Sequence, residues 1–392
     1  MIHISKRPDF NKLTGDKAKY NRYIRLLISI GIRIAALVLS LVVSGVVIYA
    51  ITKLNPLKVY AEMLDGSFGT PRRTWVWLRD TALLLLIAVG LAPTFKMRFW
   101  NIGAEGQVLV GGIATAACMI YLGGAGLPTW LLLIVMAVAS MAAGAVWGVI
   151  PAVFKARWGT NETLFTLMMN YIAIQLTSFF IPLWEHPKGS NTVGVINTGS
   201  QAGWFPALMK KPNVMPTGIA GFFTDLLTQQ YLLNVLIVAV ITVLMYFYLK
   251  KSKHGYEIAV VGQSENTARY AAMNVKKVII RSMTLSGAIC GLGGFLAVAG
   301  ADHTISTATA GGRGFVAIIV AWLAKFNTLT MVLISAMLVF LNKGAIAIAS
   351  EFNLSNDVSN IIQGIILFFI LGSEFFINYQ IKFSAHAKEV EA

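Results

Sequence analysis

Apolar residues in this chain come in unbroken runs about as long as a bilayer is thick. The run from Ile34 to Leu54 has 21 residues, and a helix needs about 20 to cross the hydrocarbon core. Nine more runs follow, at 80–95, 102–122, 128–153, 164–183, 231–249, 282–300, 315–325, 328–350 and 357–377. They do not alternate with period two, which excludes a β-barrel. The helix is then the structure that satisfies every backbone N–H and C=O in lipid. The chain reads as an all-α integral membrane protein with about ten transmembrane helices. The second and eighth runs are short enough that nine or eleven crossings fit as well. Charged residues make up 12% of the chain against 56% apolar, where soluble domains carry about 25% charge. No water-soluble fold could cover so apolar a surface.

The net charge of +15 belongs to the membrane surface rather than to nucleic acid, because no zinc-finger spacing or RNA-binding aromatic signature accompanies it. With the N-terminus placed inside, the inner segments hold 21 Lys and Arg and the outer ones nine. The positive-inside rule then puts both termini in the cytoplasm. The expected organisation is a basic cytoplasmic tail over 1–33, a transmembrane domain over 34–381 and a cytoplasmic C-terminal tail over 382–392. Two long loops fall within the domain, an outer one at 184–230, with Lys211, Pro212 and Pro216, and an inner one at 250–281. The first apolar run exceeds the about 7–15 residues of a signal-peptide core and reads as a retained helix. No GxxxxGKS/T loop, HExxH or GxSxG occurs, and the five histidines are scattered. The chain is therefore expected to be no enzyme and to bind no nucleotide, metal or other cofactor itself.

Several polar or glycine-rich stretches interrupt the pattern. In Asn101-Ile102-Gly103-Ala104-Glu105-Gly106-Gln107 a carboxylate opens an apolar helix. An ionised Glu in hydrocarbon is costly, so Glu105 must face a cavity, a partner helix or the interface. The stretch admits two readings: a broken helix lining a pathway, or a helix start capped by Asn101 with Glu105 in its first turn. In Trp158-Gly159-Thr160-Asn161-Glu162-Thr163, Thr160 or Asn161 fits as a helix cap. Asn170, about two turns on, fits either an interhelical hydrogen bond or a pathway-facing amide. The inner loop contains a helix start at Ser264 or Asn266 and a short helix over Thr267–Met273. Its apolar residues Ile258, Val260, Val261 and Tyr270 argue against a purely solvated loop and for a docking surface. Gly287-x-x-x-Gly291 with Gly293 and Gly294 is small-residue helix packing. Finally, segments two to five and seven to ten have opposite orientation, and each group carries a glycine-interrupted stretch, at 101–107 and 311–315. That is the pattern of an inverted repeat with broken helices.

Four of these stretches resemble one family, in its order. Phe99-Trp100-Asn101-Ile102-Gly103-Ala104-Glu105-Gly106-Gln107 resembles the F-N-I-G-A-E-G-Q signature of ABC importer permeases of the ribose, simple-sugar and branched-chain amino-acid class. Gly159-Thr160-Asn161-Glu162 with Leu167-Met168-Met169-Asn170-Tyr171 resembles its nucleoside and simple-sugar branch. Val261 to Ala271 resembles the cytoplasmic V-G-x-N-x-x-A-A-R-Y-A-G element, and Gly312-Arg313-Gly314-Phe315 the later G-x-G-F element. Trp100 is an insertion in the first signature, Thr267 and Ala272 stand where Ala and Gly are usual in the cytoplasmic element, and the last continues as Ala321-Trp322-Leu323-Ala324-Lys325 rather than with small residues.

The resemblance implies a multi-pass subunit of the bacterial inner (plasma) membrane that transports nucleosides or simple sugars by ATP-driven alternating access. It implies partners: a second, non-identical permease subunit, cytoplasmic ATPase subunits carrying ATP and Mg, and an extracellular or periplasmic substrate-binding (lipo)protein. It places Asn101, Glu105, Gln107, Asn161, Glu162 and Asn170 along the substrate pathway or in support of its broken helices. It assigns ATPase coupling to Gly255, Tyr256, Glu257, Gly262, Asn266, Arg269 and Tyr270. The competing reading is an ion-coupled secondary transporter of a small polar solute. An intramembrane enzyme would need clustered Asp, Glu or His, which the sequence lacks.

Overall fold

The computed structural model describes residues 2–6, 16–210 and 218–383. Lys211, Pro212 and Pro216 of the expected outer loop, residues 7–15 of the N-terminal tail and the C-terminal tail from 384 on lie outside the described residues. Each of the ten predicted segments falls on one helix. These helices are α1 (Asp16–Thr52), α3 (Pro71–Lys96), α4 (Ala104–Leu122), α5 (Thr129–Trp158), α6 (Glu162–Trp184), α8 (Leu232–Lys251), α11 (Val275–Ala297), α12 (Arg313–Leu323), α13 (Thr328–Glu351) and α14 (Asn356–Asn378). Four others lie between them: α2 (Pro56–Phe68), α7 (Gly218–Leu227), α9 (Lys253–Gln263) and α10 (Glu265–Tyr270).

Eight helices among the described residues are long and apolar enough to cross a membrane. With 11 residues, α12 spans only about 16 Å at 1.5 Å per residue and cannot cross alone. The first and second segments begin earlier than expected. α1 starts at Asp16, because nothing between it and the apolar run breaks a helix. α3 starts at Pro71, with proline in its favoured first-turn position. The inner loop forms two helices where one was expected. Ser252 Oγ caps α9 through Gly255 N at 3.0 Å, and Ser264 Oγ caps α10 through Thr267 N at 3.2 Å. α10 stops at Tyr270 rather than Met273, and Ala272 turns the chain with φ 57°.

The chain divides into two units. The smaller comprises residues up to Arg73 and from Phe340 on. Here α1 packs along α14, and Tyr60 on α2 donates its hydroxyl to Leu41 O at 2.5 Å. Strand β1 (Ile2–Lys6) pairs antiparallel with β2 (Tyr379–Phe383), Ile2 opposite Phe383. This short ladder holds the only strands among the described residues.

The larger unit, Thr74–Val339, is built around α11, which packs most extensively on α5 and then on α4. Glycines make these contacts close. A Cβ on Gly287 would strike Gly144 O, one on Gly291 Ser140 O, and one on Gly294 Val108 O. Backbones meet directly, which is how small residues join helices without a hydrophobic drive between them. Around this core, α5, α6 and α8 expose Ile134, Val146, Leu164, Phe179, Val240 and Phe247, an apolar surface suited to lipid rather than water.

Candidate functional site

Two interruptions of the helical pattern come together in the larger unit. The first follows α3. The chain turns at Arg98, φ 62°, and runs without helical hydrogen bonds to Ala104. Buried backbone groups in such a stretch need partners from elsewhere. Asn101 Oδ1 accepts from Gly103 N at 3.1 Å, and its amide donates to Ser286 Oγ at 3.2 Å. Gln107 lies at 3.4 Å from the same amide. Thr166 Oγ1 accepts from Ile102 N at 3.1 Å. Asn170 bridges the break: its amide donates to Ile102 O at 2.9 Å and its oxygen accepts from Gly106 N at 2.8 Å. Asn101, Glu105, Gln107 and Asn170 are all buried.

The second interruption follows α11, which ends in a π-helical turn, Val298–Asp302. α12 then starts after Gly311 and Gly312, at φ 59° and 71°, a conformation that favours glycine. Glu105 closes this helix start. Its carboxylate accepts from Gly312 N at 2.7 Å and Gly314 N at 2.8 Å, satisfying free first-turn N–H groups and placing negative charge at the positive end of the helix. The stretches 101–107 and 311–315 are thus bound to each other.

A second buried carboxylate reaches the same helix start. Asp80, 4% exposed, pairs with Arg79 at 2.9 Å and stands 3.7 Å from Arg313. Arg79 in turn lies over the Tyr231 ring, 5.0 Å from its centroid. Sequence reading missed Arg79, Asp80 and Arg313 as a group because the predicted segment began at 80, which left Asp80 at an apparent interface. Trp100 and Trp322, each in a stretch that departs from the family signatures, stack on each other at 5.2 Å, with Phe95 edge-on to both.

Asn161 and Glu162 sit apart from this cluster. Asn161 caps α6, accepting from Thr163 N at 3.0 Å and Leu164 N at 3.2 Å. Glu162 pairs with Lys155 at 2.8 Å.

The seven residues assigned to coupling divide between two sides of α9 and α10. Gly255 and Gly262 face inward, and a Cβ on Gly262 would strike Lys96 O, at the end of α3. Lys96 Nζ donates to Leu249 O at 3.2 Å. Glu257 pairs with Arg281 at 2.7 Å, and that guanidinium holds its carboxyl below the usual carboxylate range. Tyr256, Asn266, Arg269 and Tyr270 face outward, Tyr270 at 93% exposure. Beside them a cleft of about 560 Å³ runs between Arg269 and Met273 on one side and Lys155 and Ile279 on the other.

The family described as the branched-chain amino acid transport system permease component matches residues 74–371. The guanosine ABC transporter permease protein NupP of Bacillus subtilis is 29% identical over 86% of this chain and 92% of its own length. The glucose ABC transporter permease protein of Haloferax volcanii is 29% identical over 90% and 89%, and the nucleoside ABC transporter permease protein NupB of Lactococcus lactis is 27% identical over 83% and 86%. No solved structure gives a significant match. With the match covering both interruptions and the helices that carry them, the chain belongs to the family of branched-chain amino acid transport system permease components.

Proposed function

We propose that this chain is a membrane-spanning subunit of an ATP-binding-cassette importer in the plasma membrane, and that its solutes are nucleosides or simple sugars. The observation that carries the reading is the near full-length similarity to a guanosine and a glucose permease at equal identity. Its expected partners are a second permease, ATPase subunits that hold ATP and Mg, and an outer substrate-binding protein. Both termini and α9–α10 lie on the cytoplasmic side in this reading, in keeping with the excess of Lys and Arg there.

The packing supports a mechanical role for the inner helices. An ATPase docked on Tyr256, Asn266, Arg269 and Tyr270 pushes on α9. Gly262 leaves no gap between α9 and Lys96, so the push reaches the end of α3 and the first break. Asn101, Gln107 and Asn170 support that break, and Glu105 joins it to α12. Asn161 and Glu162 fix the start of α6, on which Thr166 and Asn170 ride.

The test is purification of the complex followed by ATP-driven, binding-protein-dependent uptake into proteoliposomes. Guanosine or glucose uptake that stops with Tyr270→Ala, in a chain that still assembles, is the expected result. Uptake of leucine alone overturns the solute class. Transport by the chain without an ATPase overturns the importer.

A further inference from the structure

At the end of the larger unit opposite α9 and α10 is a cavity of about 430 Å³, within the range of small-molecule sites. Its walls are built from unusual backbone. One side is the π-helical turn Val298–Asp302, and such turns are rare and concentrate at functional sites. Asn234 holds that turn by donating to Gly300 O at 3.0 Å. The facing loop is stitched to it by Ile196 N to His303 O at 2.8 Å and Phe205 N to Ala299 O at 3.1 Å. The Trp204 and His303 rings stack at 3.9 Å, within 4° of parallel. Asn197, Gln201 and His303 all have φ between 51° and 56°, strained values for residues other than glycine that persist only where the surroundings impose them.

The lining is polar and, among the described residues, carries no Asp, Glu, Lys or Arg. It presents the amides of Gln201 and Gln230 and the hydroxyls of Thr129, Ser200 and Thr228. Neither amide has a hydrogen-bond partner among the described residues. Burial pushes the His303 imidazole below its usual range, against the pull of the neighbouring Asp302 carboxylate. An amino acid would bring an ammonium and a carboxylate against walls whose described lining side chains offer a counter-charge to neither. A ring compound bearing hydroxyl and amide groups finds donors, acceptors and aromatic edges.

We propose that this cavity is an acceptance site for neutral ring solutes, nucleosides or sugars, that excludes amino acids. This rests on the orientation given above, which places the cavity on the outer face.

The test uses the purified permease–ATPase complex in nanodiscs, with Thr228→Cys in a Cys118→Ala background. Labelling by a membrane-impermeant maleimide is followed with guanosine, glucose or leucine added. Guanosine or glucose should slow labelling and leucine should not. Adding Gln201→Leu and Gln230→Leu should raise the half-protecting concentration about tenfold, since two neutral hydrogen bonds are lost. No protection by guanosine or glucose, equal protection by leucine, or an unchanged half-protecting concentration overturns the proposal. So does loss of affinity for the substrate-binding protein without protection by free solute, which would make the cavity a partner's socket. Failure of the wild-type complex to import either solute class sinks the functional reading, and the protection result then decides the cavity separately.

Discussion

Glu105→Gln keeps the size of the side chain and changes its charge and what it can accept. The carboxylate takes two N–H groups, from Gly312 at 2.7 Å and Gly314 at 2.8 Å, at a site 7% exposed. An amide keeps one acceptor oxygen and turns an NH2 toward the other N–H. One bond falls from the charged class, about 1.5–3 kcal/mol, to the neutral one, about 0.5–1.5, and one buried N–H is left without an acceptor at about 1–3 kcal/mol. Lost charge at the helix start removes about 0.3–1 kcal/mol more. The sum is about 2–5 kcal/mol for Gln. Ala, which removes both acceptors, should cost roughly 1 kcal/mol beyond that. At about 2–4 °C per kcal/mol, the apparent melting temperature of the complex in detergent should drop on the order of 10 °C for Gln and further for Ala. Uptake should fall in the same order. An Ala variant that melts with the wild type refutes the capping role. A Gln variant of wild-type stability but without uptake, in a transporter silenced by a protonophore at constant ATP, would instead make Glu105 a proton carrier.

Three further outcomes follow from the packing. Gly291→Ala would push its Cβ against Ser140 O and force α5 from α11, about 1–3 kcal/mol of overpacking; the yield of folded chain should drop, whereas Gly124→Ala, with nothing within 4 Å, should match the wild type. A double-mutant cycle of Trp100→Ala and Trp322→Ala should return a coupling of about 0.5–1.5 kcal/mol in melting experiments, and additivity would deny the stacked pair. Glu257 binds its proton more weakly folded than unfolded, so its contribution is present above the unfolded value of about 4.3 and is lost as pH falls through the lower folded one. The stability gap between wild type and Glu257→Gln should be open at pH 7 and close in acid, and a gap constant from neutral pH down to about 3 refutes the pairing.

The transmembrane helices were legible because lipid allows few alternatives: an apolar run of sufficient length has to be a helix. Polar helices give no such signal. α2 is announced only by its cap, Asn55 accepting from Leu57 N at 2.9 Å with Pro56 behind it. That pair was readable, and hydropathy passed over it. α9 hid in the same way behind Ser252. At the site, sequence marked both interruptions but not that they bind each other. The separation of 207 positions between Glu105 and Gly312 is closed by helix packing that no local pattern encodes. Asp80 was lost to a boundary error, and the Trp100–Trp322 contact could be read only once both departures were seen in space.

That the two interruptions share a carboxylate bears on where such a chain can bend. A continuous helix resists bending because each turn holds several backbone hydrogen bonds that fail together. Here the backbone of the first break is held by single side chains, Asn101, Thr166 and Asn170, and the start of α12 is tied to the rest of the unit by Glu105 and by Asp80 on Arg313. Each of these contacts can lengthen without unravelling a turn. The Arg313–Asp80 contact, 3.7 Å long, is the loosest of them, and it ties α12 to the same helix, α3, whose other end carries Lys96 against Gly262. A displacement arriving at Lys96 therefore meets two stiff blocks, the glycine-packed α4–α5–α11 core and α12, joined by a few side-chain bonds. Motion in this unit should concentrate at those bonds, to which Asn101, Glu105 and Asn170, three of the residues expected along the pathway, contribute.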